Sequence, residues 1–155
     1  AEDRSLATMF GLDDIVEFPG YAGHAQSIRL LLSADALFLP LHEPSDRRCP
    51  LIVPGKTYEY LAAGKPILAC VPPGNTRDFV QQAGLGFTCD PTDVDAIASI
   101  LSDLLARHCS EGGLRCHPNG EFIERFERSR LTSDLAAVFD FVLGGAHPTL
   151  PFDCP

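Results

Sequence analysis

With 155 residues, 45% of them hydrophobic and 21% charged, the chain has an ordinary globular composition and is long enough to bury a core. A net charge of −9 argues against general nucleic-acid binding, and no apolar run is long enough to cross a bilayer. The chain shows no signal peptide and does not begin with Met, which suits a processed chain or an excised piece.

In chain order, the segment Ile15 to Phe18 reads as a short strand closed by Pro19-Gly20. Ala25 to Ala34 follows as a helix, with Ile28, Leu31 and Leu32 at helical spacing. Ala36 to Pro40 is a continuous apolar strand of the kind found in the middle of a parallel sheet. A polar, proline-containing loop from Leu41 to Pro54 leads into a helix that opens near Gly55, and then into the strand Pro66 to Val71. The turn Pro72-Pro73-Gly74-Asn75 precedes a helix over 76–84 that stops at Gly84. The next strand is Gly86 to Cys89. The helix after it has Thr92 as its expected cap, Asp93 and Asp95 at its positive end, and an apolar set of Ile97, Ile100, Leu101, Leu104 and Leu105. Cys109 to Asn119 reads as a loop. Two helices, over 121–128 and 131–143, follow without strands, the second with Leu135, Val138, Phe139 and Val142 on one face. The division expected is one domain over 1–143 and a frayed tail over 144–155. Strands alternating with helices predict an α/β fold with a parallel sheet and helices on both faces.

Of the six cysteines, Cys70 and Cys89 sit in apolar runs and read as small buried hydrophobes. His108, Cys109, Cys116 and His117 lack the spacing of a usual zinc site, so no metal is expected there. The charge is uneven. Arg47, Arg48, Lys56, Lys65 and Arg77 share a window whose one acid is Glu59. This basic island suggests a local anion site, the alternative being a solvated basic face.

Ligands of open parallel sheets bind beyond the carboxyl ends of the strands. The helix that starts near Gly55 lies after such an end. Its N-terminal N–H groups and Lys56 form a candidate anion site, and Gly55 permits close approach to the backbone. Lys56, Glu59 and Ala63 fall on one helix face, while Tyr58, Leu61 and Ala62 are placed to pack on the sheet. A carboxylate one turn inside the helix suits a diol such as ribose. The alternative is a surface ion pair of Glu59 with Lys56 or Lys65.

The run from Leu12 to Pro40, the block from Pro54 to Asn75 and the run from Gly84 to Leu105 together resemble the C-terminal, donor-binding half of a GT-B glycosyltransferase, of the large group of retaining enzymes that use nucleotide-activated sugars. The middle block is the most specific, and its P-x-K-x-x-E-Y pattern, Pro54 to Tyr60, resembles one subgroup closely. The resemblance implies a Rossmann-like parallel sheet and a nucleotide-diphosphate sugar as donor substrate, with no further cofactor. It implies that Glu59 grips the ribose, that Gly55, Lys56 and Thr57 border the diphosphate, that Gly20 and Tyr21 border the base, and that Gly74 and Asn75 line the donor pocket. Lys56, with Arg47 or Arg48, would stabilise the leaving diphosphate. The family often carries a second Glu eight positions before the ribose-binding one. Leu51 stands there in this chain, and Glu43 is the candidate substitute. The resemblance further implies that the basic loop at the start of this domain and an N-terminal acceptor domain are missing from the chain. It implies a cytoplasmic setting, at most peripheral at the inner membrane face through the missing part. Two other readings remain beside it, a nucleotide-sugar 2-epimerase-like domain and a non-catalytic nucleotide-binding module.

Overall fold

The computed structural model describes residues 2–41 and 51–144. The chain divides into two compact units, residues 1–33 and 34–155. The first contains α1 (Glu2–Met9) and α2 (His24–Ser33) joined by turns. Arg4 ties α1 to this connection, donating to the Phe18 carbonyl at 3.4 Å while its guanidinium lies 5.3 Å from the centre of the Phe18 ring. The strand expected at Ile15 to Phe18 is not formed. The amides of Ile15 and Val16 both donate to the Leu12 carbonyl, which folds the segment into a turn and leaves Ile15 77% exposed. α1 carries no signal that the sequence reading used.

The second unit is built on a three-stranded parallel sheet in the order β1 (Leu37–Pro40), β2 (Ile67–Cys70), β3 (Gly86–Cys89). All four residues of β2 are buried, as its unbroken apolar sequence requires of a strand covered on both faces. β1 departs from expectation. It is an edge strand in which Leu37 and Leu39 are buried and Phe38 is exposed, so its apolar run covers one face only.

Between the strands lie α3 (Gly55–Ala63) and α4 (Asn75–Gln82). After the sheet come α5 (Val94–Glu111), the short α6 (Gly120–Glu124) and α7 (Arg128–Val142). Helices cover both faces, and the strand pleat divides the work. Leu68, Cys70 and Cys89 point with Phe87 towards Ala96, Ile97 and Ile100 of α5. On the opposite face α4 sits so close to β3 that a Cβ built on Gly86 would lie 1.9 Å from Val80 Cγ1, which is why β3 opens on a glycine there. Tyr58, Phe79, Phe122 and Phe126 form a ring cluster with centroids 5.1 to 6.3 Å apart, bolting α6 onto α3 and α4.

Several details of the helices differ from the pattern-based reading. The cap of α5 is Asp93, whose carboxylate accepts from the Ala96 amide at 2.9 Å. Thr92 cannot serve because Asp90 already takes both its amide and its hydroxyl. α5 also runs on through Cys109 to Glu111, beyond the expected loop boundary. Its inward stripe is the narrow set Ile97, Ile100 and Leu104, while Leu101 and Leu105 are exposed. Neither α2 nor α7 has a buried residue, so the apolar sets read on them lie at or near the surface. No described helix is long and apolar enough to cross a membrane.

Candidate functional site

The strands end level. Pro40 pairs with Cys70, and Cys70 with Cys89, so their carboxyl ends form one rim. α4 starts directly beyond the end of β2, and α3 follows the loop that leaves β1.

The two starts share a chemical feature. α3 has Pro54 as N-cap and α4 has Gly74, and neither makes a side-chain cap hydrogen bond. The first-turn N–H groups of such helices have no partner of their own and carry partial positive charge. Thr57 has already donated its amide to the Pro54 carbonyl at 2.9 Å, which leaves the amides of Gly55 and Lys56 as the helix-start donors. Gly74 has φ 143 and ψ −171, a conformation open to glycine alone, so the turn into α4 depends on it. α5, the third helix to leave the rim, fills its own N-terminus with the Asp93 carboxylate.

Lys56 and Glu59 are exposed on α3, and Glu59 pairs with neither Lys56 nor Lys65. Among the described residues it has no hydrogen-bond or ion-pair partner at all, so the surface pair weighed from the sequence does not form. The buried stripe of α3 is Thr57 and Leu61. Tyr58 is partly exposed against the aromatic cluster and Ala62 faces solvent, contrary to the expected packing face. The Thr57 hydroxyl oxygen is fully buried and has no partner among the described residues. Tyr60, half-buried beside this stripe, has its hydroxyl pushed above the usual phenol range by burial, with a lesser contribution from the Glu59 charge.

Arg77 belongs to the basic island by sequence, but its Nη2 is already engaged with the sheet, while its Nε is buried without a partner among the described residues. Nη2 donates to the carbonyls of Val71 and Cys89, bracing the ends of β2 and β3. Thr76 beside it donates to the Ile52 carbonyl at 2.6 Å, tying the approach to α3 onto α4. Both roles escaped the sequence reading because the acceptors are backbone carbonyls, which no residue type marks. The one available signal was a threonine just inside a glycine-started helix.

Gly20 and Tyr21 lie in the first unit. Gly20 has φ 78, and Tyr21 is 97% exposed. Glu43, Arg47 and Arg48 lie outside the described residues.

Cys70 and Cys89, in register on neighbouring strands, have sulfurs 3.5 Å apart. Burial, aided by the hydrogen bond and charge of Cys89, pushes the Cys70 thiol from 9.0 up to about 12. In the His108 to His117 stretch, His108 and Cys116 have separate partners. His108 lies 3.9 Å from Asp35, Cys116 donates to the Gly64 carbonyl at 3.2 Å, and Cys109 is exposed. No group of three or more potential metal ligands occurs among the described residues.

Residues 1–107 match the family described as glycosyl transferases group 1. No curated protein and no solved structure gave a match.

Proposed function

The chain belongs to the glycosyl transferases of group 1, and on that premise we propose that it binds a nucleotide-diphosphate sugar at the carboxyl rim of its sheet for retaining transfer of the sugar to an acceptor. The observation that carries this reading is the pair of uncapped helix starts, α3 and α4, joined to each other through Thr76 and Ile52. The diphosphate would accept hydrogen bonds from the amides of Gly55 and Lys56 and meet the Lys56 ammonium. Thr57, whose hydroxyl is buried, shapes that helix start from within. The unpaired Glu59 carboxylate would accept from the two ribose hydroxyls. Gly74 and Asn75 would border the sugar, and Arg47 and Arg48 are the further candidates for the diphosphate, with Glu43 for the sugar.

In transfer, the bond from the anomeric carbon to the diphosphate oxygen breaks and the electron pair leaves with the diphosphate. Charge therefore grows on the leaving group as the sugar turns into an oxocarbenium-like species. Positive groups fixed beforehand around that oxygen lower the barrier most. Lys56 and the α3 start would supply them, and so Lys56 is assigned the catalytic role.

The test is calorimetric titration of the chain with uridine, guanosine and their diphosphates. A diphosphate is expected to bind more tightly than its nucleoside, and Lys56→Ala to remove most of the difference. Equal binding of nucleoside and diphosphate would end this reading and leave the basic island a solvated face.

A further inference from the structure

We propose that Thr76 is a positioning residue that holds the start of α3 against the start of α4, so that two separate helix N-termini act on one ligand. The proposal rests on the donor-site reading above for the ligand, but the tether stands on its own geometry. Thr76 is 3% exposed, and its hydroxyl reaches the Ile52 carbonyl at 2.6 Å across 24 residues of chain.

The segment it holds has little else to hold it. Leu51 and Ile52 are exposed, at 74% and 47%. The N-cap Pro54 has no N–H to donate. Among the described residues, 51–54 makes one other hydrogen bond, from the Thr57 amide to Pro54, and that bond lies within the helix start itself. The other side of the tether is firm. Arg77, the next residue, fastens α4 to the ends of β2 and β3 through the Val71 and Cys89 carbonyls. Hydrogen bonds from two adjacent residues, Arg77 to the sheet rim and Thr76 to Ile52, thus link the rim to the entry of α3. Without Thr76, α4 keeps its place and the entry to α3 loses its fixed point.

The informative pair of variants is Thr76→Val, which keeps shape and burial and removes the donor, and Thr76→Ser, which keeps the donor. Two readouts are needed, amide hydrogen exchange over Thr57–Leu61 and calorimetric binding of uridine diphosphate and guanosine diphosphate beside their nucleosides. In Thr76→Val, exchange is expected to rise at the hydrogen-bonded Thr57 amide and the α3 amides that follow it, through Leu61, while that of β2 and β3 stays as in the parent. Diphosphate binding should weaken roughly tenfold, the size of one hydrogen bond's net worth, with nucleoside binding little changed. Thr76→Ser should restore both. Unchanged exchange over Thr57–Leu61 in Thr76→Val would overturn the tether, and so would a rise throughout the unit that Ser does not reverse. Raised local exchange with undiminished diphosphate preference would overturn the positioning role. A parent chain without any diphosphate preference would instead count against the donor reading, and the exchange data would still decide for or against the tether.

Discussion

Glu59 and Lys56 are separable by which part of a ligand they answer to. Glu59 is exposed and unpaired, so Glu59→Ala should shift stability by no more than about 0.5 kcal/mol. If it grips ribose, the loss appears in nucleoside and nucleoside diphosphate alike, up to about 2–3 kcal/mol for a charged hydrogen-bond pair. Lys56→Ala, in contrast, should weaken the diphosphate alone. Titrations of both variants with both ligands check this, and a Glu59→Ala chain with unaltered nucleoside binding would remove the ribose assignment. Cys70 makes a second residue-scale case. Its thiol is buried and raised from 9.0 to about 12, so the native chain should be alkylated at the exposed Cys109 well before Cys70. The folded state binds the Cys70 proton more tightly than the unfolded state does. Its contribution to stability is therefore complete below pH 9 and is lost as pH rises from 9 towards 12. Denaturant titrations at pH 8 and pH 10 of the parent and of Cys70→Ala should show the parent losing more stability over that interval.

Among the elements, those whose sequence carries its full structural cause were legible. β2 is apolar throughout because it is central, and α3, α4 and α5 announce themselves by their spacing, with Gly84 in the left-handed region marking the stop after α4. Gly112, the glycine that ends α5, carried no weight in the sequence reading, which expected that helix to stop at His108. Elements that depend on partners were not. Ile15 to Phe18 has strand-like composition, but Ile15 and Val16 spend their amides on Leu12, and β1 looks central from its residues yet lies at the edge among the described strands. At the site, the α3 start with Lys56 and Glu59 could be read from residue types, whereas Thr76 and Arg77 act on carbonyls. The choice of cap turned on a competing bond, since Asp90 claims Thr92. Asp93→Ala should accordingly cost about 1 kcal/mol in chemical denaturation, while Thr92→Ala costs less. The contact of α4 with β3 gives a sharper test. Gly86→Ala drives a methyl against Val80 and should destabilise by about 1–3 kcal/mol. Val80→Ala in the same chain should recover part of that loss, so that the two changes together cost less than their sum.

For the whole molecule, a net charge of −9 surrounds a site proposed to hold an anion. Attraction at Lys56 is local and repulsion from the remaining acids is spread out. Salt screens both over about 8–10 Å at ordinary ionic strength. The preference for a diphosphate over its nucleoside should therefore shrink as sodium chloride is raised from 20 to about 300 mM, and a salt-independent preference would point to uncharged contacts alone. The level ends of the three strands carry a further consequence. Neighbouring strands stand about 4.8 Å apart, so three of them in register present a ledge roughly 10 Å across from which every connection departs at the same height. Residues added to or removed from the connection between β1 and α3 would leave the strand pairing untouched. Under the proposed donor reading, such a layout would let ligand choice drift through insertion and deletion in one connection while the core keeps its register.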